Sequence, residues 1–126
     1  MTEAECLPST EPVSVLQIHG TNDATISYDG GNLGQGQVEL NYPSAEESVE
    51  LHASLNGCDS TPVEAAAPLD IEVSIPGEES SALRYEDGCA DGTVVELWTI
   101  DGGGHIPTLS PSGTRQILEW LLQRSR

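Results

Sequence analysis

Val13-Ser14-Val15-Leu16-Gln17-Ile18, opened by Pro12, is a short apolar run that stops at the turn His19-Gly20-Thr21-Asn22-Asp23. Runs of this length, bounded by turn formers and rich in β-branched residues, read as buried strands. A second such run, Val94-Val95-Glu96-Leu97-Trp98-Thr99-Ile100, ends in its own turn, Asp101-Gly102-Gly103-Gly104-His105. Between the two lies a helix over Ser44 to Asn56. Ser44 is placed as its N-cap and Glu47, three residues on, completes a capping box. Ala45, Val49 and Ala53 recur at four-residue spacing on one face, and Gly57 is placed to end the helix at C′. Two buried strands joined through a helix predict a parallel pair within an α/β sheet.

The remaining segments fill in around that pair. Residues 24 to 41, with Asp29-Gly30-Gly31-Asn32 and Gly34-Gln35-Gly36, read as a surface loop, and so do residues 59 to 68 with Pro62 and Pro68. Asp70 to Ile75 alternates polar and apolar residues, which predicts a half-buried strand. Pro76-Gly77-Glu78-Glu79 then turns the chain, and Ala82 to Glu86 returns as the partner in an acidic hairpin. Ser112 to Arg124 reads as a final helix with Ile117, Leu118, Leu121 and Leu122 on one stripe; Arg124 and Arg126 suit its C-terminal end. The expected architecture is one α/β domain over residues 1–126: a parallel strand pair, a hairpin and two flanking helices.

Composition narrows the function. The chain has 126 residues, 21 of them acidic against four Arg and no Lys, for a formal net charge of -17. Nothing here could neutralise phosphates, which excludes a nucleic-acid partner, and the charge also argues against anionic membrane surfaces. No apolar run approaches the roughly 18 residues of a membrane helix, and Met1 to Glu11 has neither the basic nor the apolar region of a signal peptide. The acids are scattered, so they describe a solvated surface; adaptation to a saline habitat is the alternative origin. There is no EF-hand spacing for calcium. Cys6, Cys58 and Cys89 form no CxxC pair and have no His at zinc spacing, so no metal site is expected. Cys58 and Cys89 flank a loop after a helix and before a strand, where a disulfide fits, and Cys6 is left over.

Asp23 and His105 carry the chemistry. Each sits in a turn just beyond a buried strand, and in open α/β sheets ligands bind beyond the carboxyl ends of the strands. If the strands are parallel, both residues reach the same edge despite their separation in sequence. An Asp that orients a His, which then serves as general base, is two-thirds of a hydrolase triad. The bland readings are a turn-forming Asp and an exposed loop His. His19 is expected to pack or hydrogen-bond behind Asp23, His52 to be structural, and Trp98 and Trp120 to be core aromatics.

Several segments together resemble polyhydroxybutyrate-depolymerase-like and feruloyl-esterase-like α/β-hydrolases. His19-Gly20-Thr21-Asn22-Asp23 with Ile26-Ser27-Tyr28 resembles the segment bearing the catalytic acid, and Asn56-Gly57-Cys58 the end of the helix that follows. Arg84-Tyr85, Cys89, Asp91-Gly92, Val95-Glu96-Leu97-Trp98 and Gly103-Gly104-His105 resemble the terminal strand and histidine turn. Ile117-Leu118-Glu119-Trp120-Leu121-Leu122 resembles the final helix. The resemblance implies the C-terminal part of an α/β-hydrolase sheet, a secreted or periplasmic carboxylic-ester hydrolase without cofactor, and small ester or polyester substrates. It assigns Asp23 as triad acid and His105 as triad base and pairs Cys58 with Cys89. Tyr28, beside the acid's turn, is a candidate for the substrate cleft, the alternative being a loop-surface tyrosine.

The departure from the family is the nucleophile. The family order is Ser, Asp, His, with the serine in a G-x-S-x-G elbow upstream of everything quoted above, and no such motif occurs in these residues. The oxyanion-hole loop is also upstream. Ser27, Ser110 and Ser112 lie in or near the relevant loops, but none has an elbow context. Two accounts therefore stand: an esterase whose serine is missing or supplied elsewhere, and a non-catalytic remnant or binding module. In the second, the apolar strand at 13–18 lacks a sheet neighbour and is expected to pair with a second copy as a homodimer.

Overall fold

A computed structural model describes residues 11–34, 39–65 and 70–124. Cys6, Pro68 and Arg126, each assigned a place above, lie outside the described residues. The chain runs β1 (Val15–Gly20), β2 (Gly31–Asn32), β3 (Asn41–Tyr42), α1 (Ala45–Leu55), β4 (Val63–Glu64), β5 (Ser80–Tyr85), β6 (Val95–Ile100) and α2 (Pro111–Gln123). The larger sheet has the order β1-β6-β5-β4, and β2 and β3 form a separate ribbon. β1 and β6 are parallel, in register from Val15↔Val95 to Gly20↔Ile100. β5 and β6 are antiparallel, with Ser80 opposite Ile100 and Tyr85 opposite Val95.

Alternation along β6 gives the sheet two apolar faces. Val95 and Leu97 pack with Val15, Tyr85 and the α1 residues Ala45, Val49 and Ala53. Trp98 and Ile100 pack on the opposite face with Ala82, Ile71 and Trp120 of α2, joined by Leu16 and Ile18. The α1 start is as expected: the Ser44 hydroxyl accepts from Glu47 N at 3.0 Å, and Ser44 N donates to the Glu47 carboxylate at 2.8 Å. Asn56 caps the C-terminal end and Gly57 follows with φ 73°, the left-handed C′ geometry that favours glycine. Cys58 and Cys89 form the disulfide, tying the end of α1 to the segment before β6.

The acidic hairpin does not form as expected. Asp70 to Ile75 is an irregular strap, and the antiparallel partners of β5 are β6 and the short β4. Alternation failed because Ile71 and Glu72 are both buried while Val73 is 55% exposed. The first amides of the strap are taken by a carboxylate instead of a strand: Ile71 N and Glu72 N donate to Glu79 Oε1 at 2.9 and 2.7 Å. The loops at 24–41 and 59–68 are likewise interrupted by β2, β3 and β4. α2 begins earlier than read, with Ser110 as N-cap and Pro111 in its first turn. Its apolar stripe is only partly used, because Trp120 is the buried contact while Leu118, Leu121 and Leu122 are exposed.

Candidate active site

The two strand-end turns are fastened together before either side chain is considered. Thr21 N donates to Ile100 O at 3.0 Å and Asn22 N to Gly103 O at 2.9 Å. In return Gly102 N donates to the Thr21 hydroxyl at 2.8 Å. The backbones meet so closely at Gly20 and Gly103 that a Cβ on Gly20 would fall 2.2 Å from Gly103 O. Parallel register therefore brings both turns to one edge, and these bonds set their separation.

That scaffold places the Asp23 Oδ2 atom 2.9 Å from His105 Nδ1. The other carboxylate oxygen is held by its own turn, accepting from Thr25 N and Ile26 N, both at 2.8 Å. His19 closes the back of the site. Its Nε2 lies 2.9 Å from Ile26 O and 3.4 Å from Asp23 Oδ2. A carbonyl only accepts, so His19 Nε2 carries a proton shared between Ile26 O and Asp23. The expected place of His19 behind the acid is the place it takes.

Asp23 is the fixed member and His105 the accessible one, with side-chain exposures of 6% and 46%. Burial raises the Asp23 carboxyl, but the bond to His105, the two turn amides and the attraction of His105 outweigh it, taking it from 3.8 to about 2. A carboxylate only accepts, so His105 Nδ1 is the donor; in the neutral imidazole Nε2 is then left as a base. Because the folded value is depressed, Asp23 contributes stability that is complete above 3.8 and is lost as pH falls toward about 2. Melting curves across that window should decline more steeply for wild type than for Asp23→Asn; equal slopes would show that the carboxylate is not held as described.

A cavity of about 250 Å³ opens beside the pair, lined by Ile18, His19, Gly20, Asp23, Ile26, Ile100, Gly104, His105 and Pro107. A larger one of about 460 Å³ sits at the other end of the sheet, next to Val13, Thr93 and Trp120. Of the two, the smaller is the one lined by histidines. Tyr28 is not on the wall of either. Its hydroxyl bonds Thr99 Oγ1 at 2.8 Å and its ring meets His19 edge-on at 5.5 Å, so it backs His19 from the α1 side of the sheet.

No serine among the described residues is bonded to His105. The Ser110 hydroxyl accepts from Gly113 N and donates to Asp70 O, Ser112 accepts from Gln116, and Ser27 accepts from Asp29 N. No group of His, Cys, Asp and Glu suited to a metal occurs among the described residues. Sequence reasoning passed over Glu72, whose carboxylate bonds Thr108 N at 2.8 Å in the histidine loop. Its position in an apparently alternating run marked it as solvent-facing.

No protein-family model and no solved structure matches the chain. Over 103 residues, 80% of this chain, it is 31% identical to feruloyl esterase B of Piromyces equi, and the match spans 17% of that protein's length. The mixed α/β sheet and this similarity together support an esterase-like relationship.

Proposed function

We propose that this chain is the acid–base portion of a serine-type carboxylic-ester hydrolase of the polyhydroxybutyrate-depolymerase-like or feruloyl-esterase-like kind. The observation that carries the reading is the 2.9 Å bond between Asp23 and His105 at the carboxyl ends of two parallel strands, beside a cavity. In the proposed reaction His105 Nε2 takes the proton of a serine hydroxyl as its oxygen attacks the ester carbonyl. Asp23 stabilises the resulting imidazolium, which returns the proton to the departing alcohol. Water then repeats the cycle on the acyl-enzyme. The serine is supplied by another segment or another chain. Substrates are small acyl, aryl or polyester esters, and no cofactor takes part. A secreted or periplasmic location belongs to the same proposal, since the Cys58–Cys89 disulfide suits an oxidising compartment.

Hydrolysis of a short-chain p-nitrophenyl ester tests the proposal. His105→Ala should lower turnover by about 10²–10⁴-fold, the usual contribution of general acid–base catalysis. A wild type no faster than the variant would rule out catalysis by this chain alone.

A second reading, a non-catalytic module that pairs with itself, is favoured by β1 being an edge strand among the described residues. Val15 N and Thr21 N both bond toward β6, so by strand alternation Leu16 and Ile18 direct their amides and carbonyls away from it. No charge interrupts residues 12 to 20, in a chain of net charge -17. Antiparallel pairing of two β1 strands about Gln17 would bond these groups. It should appear as a dimer by light scattering at tens of micromolar, an order-of-magnitude choice for a weak interface, and more readily at high salt, where like-charge repulsion is screened. A monomer under both conditions rejects it.

A further inference from the structure

The strap that replaced the expected hairpin grips the far end of the loop bearing His105, and Glu79, just before β5, holds the loop's start. At the loop's start Asp101 N donates to Glu79 O at 2.9 Å. At its end Val73 N donates to Thr108 O at 3.0 Å, Ser110 N to Ile71 O at 2.9 Å, and Glu72 bridges to Leu109. Glu72 sits between these grips. It is 4% exposed, and neither of its carboxylate oxygens lacks a donor. Oε1 accepts from Ser74 N and Ser74 Oγ, and Oε2 accepts from Thr108 N, all at 2.8 Å. No cation is paired with it among the described residues, so its partners are backbone and hydroxyl donors of the strap and the histidine loop. These bonds hold its carboxyl below the usual glutamate range despite burial.

We infer that Glu72 is a positioning residue for His105, its carboxylate fixing the loop so that the imidazole stays on Asp23. The inference rests on the reading of Asp23 and His105 as an acid–base pair. It concerns the geometry of that pair, so it can be tested whether or not the chain hydrolyses esters. Loop connections tend to open locally at low cost, and a buried charge-assisted bond three residues beyond His105 raises that cost. Glu72→Gln keeps the shape but leaves one acceptor oxygen where there were two, and turns an amide NH2 toward either Thr108 N or Ser74 N.

The test is NMR on the full chain, wild type against Glu72→Gln. Losing one charge-assisted bond should speed amide exchange at Thr108 by about tenfold or more. The neutral His105 ring should lose part of its Nδ1–H form, while His52 on α1 keeps its wild-type signals. A folded Glu72→Gln whose His105 tautomer matches wild type would overturn the inference, even if Thr108 exchanged faster, because Glu72 would then be merely structural. If the variant does not fold, wild-type exchange decides. Thr108 and Ser74 amides protected like those of β6 support the latch, and exchange at the free-peptide rate overturns it. Absence of ester turnover in wild type bears on catalysis by this chain alone and leaves these observables untouched.

Discussion

Replacing Glu96 by Ala should destabilise the chain by about 2–6 kcal/mol, since it strands two buried indole donors at about 1–3 kcal/mol each. Glu96 lies in β6, 2% exposed, and three donors converge on it. Trp98 Nε1 reaches Oε1 at 2.8 Å, while Trp120 Nε1 and Arg84 Nε reach Oε2 at 2.7 and 2.9 Å. The carboxylate thus ties β5, β6 and α2 into one polar knot. Alanine would strand both buried indole N–H groups, and Arg84, partly exposed, would recover only some of its loss from water. Domains of this kind have about 5–15 kcal/mol in total, so much of the margin would go. Urea unfolding followed by tryptophan fluorescence measures it, and both indoles report on the lost acceptor directly. Glu96→Gln keeps one acceptor oxygen and should fall between wild type and alanine. A cost under about 1 kcal/mol for alanine would mean the knot contributes no more than a surface pair.

Gly20→Ala should be comparably damaging, for a steric reason. Its Cβ would lie 2.2 Å from Gly103 O and 2.4 Å from Gly103 C, which are backbone atoms that no rotamer change can move. Ordinary overpacking costs about 1–3 kcal/mol, and a backbone collision belongs at or above the top of that range. The damage should also reach the site, because separating the turns breaks the Asn22 N–Gly103 O bond and draws Asp23 away from His105. Gly104→Ala is the control: it adjoins His105 but nothing lies within 4 Å of its Cβ, so stability should change by less than about 0.5 kcal/mol. Chemical denaturation of the two variants makes the comparison. Equal stability for Gly20→Ala and wild type would show that the turns are not packed as described.

The parts of this fold legible in sequence were those written in local chemistry. The capping box at Ser44 and Glu47, the two apolar runs and the turn glycines each specify their structure within a few residues. Asp23 and His105 could be placed together because parallel pairing sends both strand ends to one edge. What sequence did not disclose depends on distant partners. The strap at 70–75 has the alternation of a strand, but Glu79 takes its amides and Glu72 turns inward to the histidine loop. β4 is only Val63–Glu64, too short to carry a pattern. The α2 stripe was correctly helical, yet periodicity cannot say which part of an apolar face is covered, and here it is the Trp120 side. For Tyr28 sequence left cleft and loop surface both open, and the bond of its hydroxyl to Thr99 across the sheet was not legible there.

The central claim is that Asp23 holds His105 with its proton on Nδ1 and its Nε2 available as a base. Imidazole-nitrogen NMR of the neutral His105 ring tests it without reference to any nucleophile. The account predicts Nδ1–H as the dominant form in wild type, with the preference lost in Asp23→Ala. A wild-type ring protonated on Nε2, or one that Asp23→Ala leaves unchanged, would contradict it.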